Sequence, residues 1–335
     1  MKIVALAGGV GGAKLVEGLA QIHPSQDLTI VVNCGDDFEH LGLKICPDLD
    51  TVCYTLAGHA NPATGWGRAG ETWNAMESLA ELGGPAWFRL GDRDLGTHLE
   101  RTRLLREGLT LSHITQRFCE AWKIDPTVLP VSDDPVATLV YTDEGRLPFQ
   151  EYFVRRQCRP RVTGFEFQGV EYALPAPGVM DALAASDIVI VCPSNPWVSI
   201  DPILALPGIK AEIVNKDISE REPGVLDRTA GAQRTVVAVS PIIGGEAVKG
   251  PAAKMYTELG ILPSALAVAR HYGSAKDGGL LSGFVLDNAD AILEKDVRSL
   301  GLKTLVTDTI MRTKLDRTRL AKEVLIFGEK LSESQ

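Results

Sequence analysis

An α/β fold, with a mostly parallel sheet and helices on both faces, is predicted by three observations. First, Ile3–Ala7 is a short apolar run that ends in glycines, followed by helical spacing over Lys14–Ala20 and a second apolar run over Leu28–Val32. Strand, glycine turn, helix and strand in that order form a βαβ unit, which demands parallel strands and a right-handed crossover. Second, the pattern returns late in the chain. Asp187–Cys192 and Thr235–Val239 are apolar runs that each end at a proline-bearing turn, and weaker runs at Ser282–Leu286 and Lys303–Val306 lie beside helical segments. Third, the stretch between these two parts reads differently, so the sheet is assembled from both ends of the chain. The expected architecture is Rossmann-like.

The middle begins with helical patterns over Glu71–Leu82, Thr97–Glu107 and Leu111–Trp122. Short alternating segments follow at Ala137–Thr142, Phe149–Val154 and Val162–Phe167, with turn residues such as Asp143-Glu144-Gly145 between them. Hairpins of this kind are antiparallel. The expected organisation is therefore a core of residues 1–124 and 178–335 carrying an inserted, smaller α+β region at 125–177. Lys216–Gln233 is polar and bears Gly and Pro, which predicts a mobile surface loop.

Composition narrows the function. At 335 residues the chain exceeds the usual size of one domain, consistent with an insertion. A net charge of −9 argues against nucleic acid as a partner, since such binders carry a basic surplus. The N-terminal apolar run is broken by Gly8-Gly9 where a signal peptide would continue, and no apolar stretch is long enough to span a bilayer. Six cysteines contain no C-x-x-C pair, which fits a reducing compartment. Cys34, His40, Cys46 and Cys53 match no standard zinc spacing. A cytoplasmic protein without membrane or nucleic-acid partners is expected.

Seven segments could carry chemistry. Gly8-Gly9-Val10-Gly11-Gly12-Ala13-Lys14 links the first strand to the first helix, where glycines let the backbone approach a phosphate and free N–H groups face it. It is not a Walker A loop, because Leu15 follows Lys14, and it is not a dinucleotide fingerprint, because Lys14 holds the third glycine position. Asn33-Cys34-Gly35-Asp36-Asp37 lies at the carboxyl end of the second strand, where ligands of open α/β sheets bind. In Pro47-Asp48-Leu49-Asp50-Thr51 one aspartate can cap a helix and leave the other to face a cleft. Arg89–His98 packs Asp92, Arg93 and Asp94 between glycines ahead of a helix, a mixture suited to a magnesium-bound phosphate. Ser132-Asp133-Asp134-Pro135 is ordinary turn chemistry. Cys192-Pro193-Ser194-Asn195-Pro196 presents two polar side chains between prolines. Ser240-Pro241-Ile242-Ile243-Gly244-Gly245 repeats the strand and glycine-turn logic and is followed by Lys249 and Lys254. There is no G-x-S-x-G motif. Glycine turns, carboxylates and a few bases at strand ends are what phosphoryl transfer needs: donors for the oxyanions, a bound Mg²⁺, and a carboxylate to take the attacking hydroxyl's proton.

Six of these stretches occur in register: GGVGGAK at 8–14, NCGDDFEHLGLKICPDLDTVCYTLAG at 33–58, RLGDRDLGTH at 89–98, PVSDDPVAT at 130–138, CPSNPWVSIDPIL at 192–204 and AVSPIIGG at 238–245. Together they resemble the 2-phospho-L-lactate transferase (phosphoenolpyruvate transferase) family of coenzyme F420 biosynthesis, with the match running to about residue 330. The resemblance implies transfer of a phosphorylated three-carbon acid from a guanosine-diphosphate-activated donor to the ribityl hydroxyl of Fo, the 8-hydroxy-5-deazariboflavin, with release of GMP. It implies Mg²⁺ and a homodimer. Carried onto this sequence, Asp36, Asp37 and Asp50 become the catalytic and metal-binding carboxylates. Asp50, Arg89, Asp92, Arg93 and His98 become the Fo site. Gly8, Gly9, Gly11, Gly12, Lys14, Ser194, Asn195, Ser240, Gly244 and Gly245 become the nucleotide and phosphate site. Two features depart from the family pattern: Cys46 stands where serine is usual, and 210–234 is longer than the usual connection. The competing reading is a non-catalytic nucleotide-sugar-binding regulator on the same core, from which the SDDPV segment and the GDRD loop would be missing.

Overall fold

In the computed structural model, which describes residues 1–214 and 234–334, the chain opens with β1 (Ile3–Ala7), α1 (Gly9–Ile22) and β2 (Leu28–Val32). A short hairpin, β3 (Phe38–His40) and β4 (Leu43–Ile45), leads into α2 (Pro47–Leu56). Then come α3 (Asn74–Glu81), α4 (Asp92–Arg106), α5 (Leu111–Trp122) and β5 (Thr127–Pro130). The antiparallel part comprises β6 (Ala137–Thr142), β7 (Gly145–Pro148) and β8 (Val162–Gln168). The chain returns through α6 (Val179–Ala185), β9 (Ile188–Val191), α7 (Asp201–Leu204) and α8 (Ile209–Val214). It ends with β10 (Thr235–Val239), a hairpin of β11 (Ile242–Ile243) and β12 (Glu246–Ala247), α9 (Ala252–Glu258), α10 (Ala265–Tyr272), β13 (Gly283–Asp287), α11 (Glu294–Ser299), β14 (Lys303–Thr307) and α12 (Lys314–Ser332). The loop expected over Lys216–Gln233, and most of the long 210–234 connection, lie outside the described residues.

Seven parallel strands form one sheet in the order β14-β13-β10-β9-β1-β2-β5. The fold class is the Rossmann-like α/β class expected. Strands β1, β9, β10 and β13 are buried at every position, which is why they read as continuous apolar runs rather than alternating ones. Helices α1 and α12 cross closely over the sheet. A Cβ at Gly18 of α1 would fall 2.2 Å from the Arg317 carbonyl oxygen of α12, so only glycine permits that approach.

Four local expectations are corrected. Helix α1 starts at Gly9, not Lys14, so Gly11 and Gly12 are helical rather than part of a turn. Helix α4 starts at Asp92, because the Glu71 carboxylate, 22 residues away in sequence, accepts from the N–H groups of Arg93 (2.7 Å) and Asp94 (2.9 Å) and satisfies its first turn. The stretch 149–154 is not a strand; after β7 the chain tightens into a single π-helical turn over Glu151–Arg155. Finally, Thr127–Pro130 is the edge strand of the main sheet, paired with β2. The three antiparallel strands of the 125–177 stretch, in the order β7-β6-β8, occupy only 137–168.

Candidate active site

From β1 the chain first builds outward through β2 and β5, then returns to the other side of β1 with β9. The crevice at the carboxyl ends of β1 and β9 is thus the topological switch point, where open α/β sheets bind ligands. A cavity of about 880 Å³ opens there.

Glycines line its floor. Gly9 has φ +61°, a left-handed conformation at the first helical residue, and its N–H donates to Asp48 Oδ1 at 2.7 Å. The Ser194 hydroxyl accepts from the Gly8 N–H (3.3 Å) and donates to the Gly8 carbonyl (2.7 Å), tying the end of β9 to the end of β1. A Cβ at Gly8 would come within 2.5 Å of Asp48 Oδ2, and one at Gly11 within 2.2 Å of the Pro193 carbonyl oxygen. Gly12 does not line the cavity; its missing side chain makes room for Ala7 and the Ser194 hydroxyl. Gly9, Val10 and Gly11 of the first turn of α1 line the cavity beside Lys14, whose ammonium donates to the Met311 carbonyl at 2.8 Å.

The acid side of the cavity holds Asp36, Asp48 and Asp50, all buried. Neither Asp48 nor Asp50 caps α2 with its side chain; the helix begins at Pro47, and both carboxylates sit in its first turn. Asn33 organises the group: its amide donates to Asp48 Oδ2 (2.9 Å), Asp36 Oδ1 (3.3 Å) and, at 3.0 Å, the Val198 carbonyl. Burial, then the neighbouring Asp48 and Asp37, raise the Asp36 carboxyl well above the usual carboxylate range. Burial also raises Asp48, to about 6, against the hydrogen bonds from Asn33 and Gly9. Neither carboxylate makes an ion pair among the described residues.

The other two aspartates are already neutralised. Asp37 pairs with Lys44 at 3.2 Å and stands off the cavity wall. Asp50 receives both terminal nitrogens of the buried Arg101, one of them at 3.0 Å from Oδ2. Arg101 also approaches His98 Nδ1 at 3.2 Å, His98 Nε2 lies 3.3 Å from Asp94, and the Tyr54 hydroxyl donates to Asp94 at 2.7 Å. Asp50, Tyr54, Asp94 and His98 line the cavity, while Arg101, off its wall, holds Asp50 and His98.

Among the described residues, no three Asp, Glu, His or Cys side chains converge as a ready-made metal cage. The expected set of Asp36, Asp37 and Asp50 is not assembled at one point, because Lys44 and Arg101 claim two of its members. The pair without a cation partner among the described residues is Asp36 and Asp48. Two carboxylates are donors that suit a hard divalent cation.

Arg89 lines the cavity with its guanidinium stacked 4.4 Å from the Trp73 ring. Asp92 and Arg93 do not line it. Asp92 accepts from Thr72, the Asn74 N–H and side chain, and the Ala75 N–H, and so fastens the start of α3. Arg93 is exposed and reaches the Ala69 carbonyl at 3.3 Å. Ser194, Asn195 and Ser240 are on the wall, but Gly244 and Gly245 form the β11–β12 turn outside it, with the Gly244 N–H held by Asp290 at 3.1 Å. Asp133 caps α5 through Ser112 (2.6 Å), and Asp134 accepts from the Leu174 N–H at 2.9 Å. The two segments expected to separate an enzyme from a regulator thus include scaffold contacts, and of their acids only Asp94 reaches the cavity.

Several cavity residues lie outside the motifs: Trp66, Trp87, Phe88, Phe149, Phe153, Val248 and Arg312. Phe149 and Phe153 stack with centroids 5.4 Å apart and planes 6° from parallel. Their spacing of four on one helical turn was the available signal, and it reads equally as a strand.

A parallel sheet that brings a glycine-led helix terminus, unpaired carboxylates and an aromatic wall to one switch-point cavity defines a group-transferring α/β enzyme. The sequence profile of 2-phospho-L-lactate transferase CofD matches residues 3–220. Over 340 aligned residues the chain is 42% identical to the phosphoenolpyruvate transferase of Streptomyces coelicolor, covering all of both chains. It is 43% identical to that of Streptomyces avermitilis over 99% of each, and 39% identical to that of Mycobacterium sp. strain KMS over 92% of this chain and 94% of the other. The crystal structure of a UPF0052 family member from Bacillus halodurans superposes with a TM-score of 0.60 at 12% identity, covering 97% of this chain and 98% of that one, which shows the shared fold. The chain belongs to the 2-phospho-L-lactate transferase family and is a transferase of coenzyme F420 biosynthesis. No helix among the described residues is long and apolar enough to cross a membrane.

Proposed function

We propose that this enzyme transfers a phosphorylated three-carbon-acid unit (2-phospholactyl, phosphoenolpyruvyl or 3-phosphoglyceryl) from a guanosine-diphosphate-activated donor to the ribityl hydroxyl of Fo, releasing GMP. The observation that carries this reading is the division of the cavity. The α1 terminus, Lys14 and Ser194, which this reading gives to the donor's phosphates, share the cavity with Asp36 and Asp48, which have no cation partner among the described residues, and aromatic side chains complete the wall. A tricyclic deazaflavin matches the aromatic part, with Arg89 and the fixed carboxylate of Asp50 as polar contacts.

In the proposed reaction the acceptor's terminal hydroxyl oxygen attacks the β-phosphorus of the donor. The P–O bond to the α-phosphate breaks and the electron pair leaves with GMP. Asp36 takes the hydroxyl proton in this reading: its carboxyl lines the cavity without a cation partner, and burial beside Asp48 and Asp37 raises its proton affinity. Asp48, oriented by the Gly9 N–H and the Asn33 amide, would hold Mg²⁺, which when bound neutralises charge on the phosphate oxygens. Asp50 cannot swing away from Arg101 without stranding a buried charge, so it orients rather than exchanges protons. The same reading has the enzyme acting as a cytoplasmic homodimer, which sedimentation of the purified protein tests.

Mass spectrometry of products formed from Fo, Mg²⁺ and each candidate donor tests the reaction. One donor should give a product heavier than Fo by its phospho-acid unit, with one GMP released for each. Nucleotide binding with no new deazaflavin product from any donor would leave only the regulator reading.

A further inference from the structure

The cavity has a second electrical extreme, opposite in sign to the acid pair. Lys14, Lys249 and Arg312 all line it, from α1, from the segment after β12 and from the segment before α12. Among the described residues none of the three takes part in an ion pair. Lys14 and Lys249 donate instead to neutral backbone carbonyls, Lys14 to Met311 (2.8 Å) and Lys249 to Thr64 (2.5 Å), so neither side chain is met by a counter-charge and each keeps further donors. The contrast with their neighbours is informative. Arg317 and Lys314, in the first turn of α12, both pair with Glu17. The fold gives those cations a carboxylate partner and, among the described residues, gives none to the three on the cavity wall.

The backbone beneath these cations is fixed. Asp287 accepts from the Thr309 N–H (2.7 Å) and hydroxyl (3.0 Å), and Asp316 accepts from the Arg312 N–H at 3.0 Å, so the segment carrying Arg312 is pinned at both ends. Lys249 follows the β11–β12 hairpin, whose turn is held by Asp290. Like charges gathered without a counter-charge repel one another, and burial, then Arg317 and Lys249, lowers the proton affinity of Lys14. An anion relieves that repulsion.

Resting on the transfer reaction proposed above, we infer that Lys249 and Arg312 join Lys14 to hold the diphosphate of the donor. A single carboxylate would leave the cluster positively charged, whereas a diphosphate carries more than one negative charge and can span cations from separate strand ends. Both new residues lie beyond the 3–220 segment matched by the family profile.

Calorimetric titration of the full-length protein with GDP tests this. Lys249→Gln combined with Arg312→Gln should weaken GDP binding by about tenfold or more, and Lys249→Arg alone should keep near wild-type affinity. The wild-type Kd should rise with NaCl more steeply than that of the double variant, because screening acts on the charges removed. Undiminished GDP affinity in the double variant overturns the assignment and leaves the transfer reaction standing. Failure of the wild type to bind either GDP or inorganic pyrophosphate overturns both.

Discussion

Asp36 and Asp48 differ from Asp37 and Asp50 in one respect: the second pair has cations and the first does not. All four are buried within a stretch of 15 residues around β3, β4 and α2. Lys44 and Arg101 turn Asp37 and Asp50 into scaffold, and the Asn33 amide, a neutral donor, leaves Asp36 and Asp48 without a counter-charge. The comparison teaches that burial alone does not mark a catalytic carboxylate. What marks it is burial at the cavity without a counter-charge.

The hardest test of the contrast is at Arg101. Replacing it with Met leaves Asp50 buried and unpaired, so unfolding in denaturant should show a loss of about 3–5 kcal/mol, and a second change, Asp50→Leu, should restore much of it. Stability unchanged by Arg101→Met would mean that the pair is not a structural latch. The same reasoning alters what Asp50→Ala reports: it strands Arg101, so lost turnover in that variant must be read beside its melting curve. At Asp48, on the reactive side, Asn should cut turnover by about 100-fold with stability equal to or above wild type. A variant that keeps its activity removes Asp48 from the site.

Gly11 sharpens the comparison on the glycine floor. Ala there meets the Pro193 carbonyl, and the expected cost is about 1–3 kcal/mol in chemical denaturation, because the obstacle is backbone. A neutral effect would assign Gly11 to ligand approach alone. The smallest effect concerns pH. Asp48 titrates at about 6 in the fold against 3.8 for an unperturbed carboxyl, so the folded state binds more protons between those values. Its contribution to stability is therefore fully present below about pH 4 and is lost as pH rises through about 6. Added Mg²⁺ should raise the Tm more at about pH 7.5 than at about pH 5, and equal shifts at both would contradict cation binding by this acid.

The sequence by itself determined most of the sheet, though not its edge strand Thr127–Pro130, which is only half buried. Strands buried on both faces must be apolar throughout, and parallel strands need crossovers, so Ile3–Ala7, Leu28–Val32, Asp187–Cys192 and Thr235–Val239 were legible as strands without any contact being known. It also pointed to several of the residues that line the cavity, among them Gly8, Gly9, Asp36, Asp50, Arg89 and Ser194, because glycine turns and acids at strand ends carry their own chemistry. Helix starts were less legible: Gly11 and Gly12 look like a turn until Pro193 and Ser194 are seen packed against them, and Asp92 looks like a ligand until Glu71 and the start of α3 are seen around it. Only the tertiary structure decided which aspartates have a cation partner and which do not. Coulomb energy depends on distance through space, and the cation that quenches Asp50 comes from 51 residues along the chain, on a different helix.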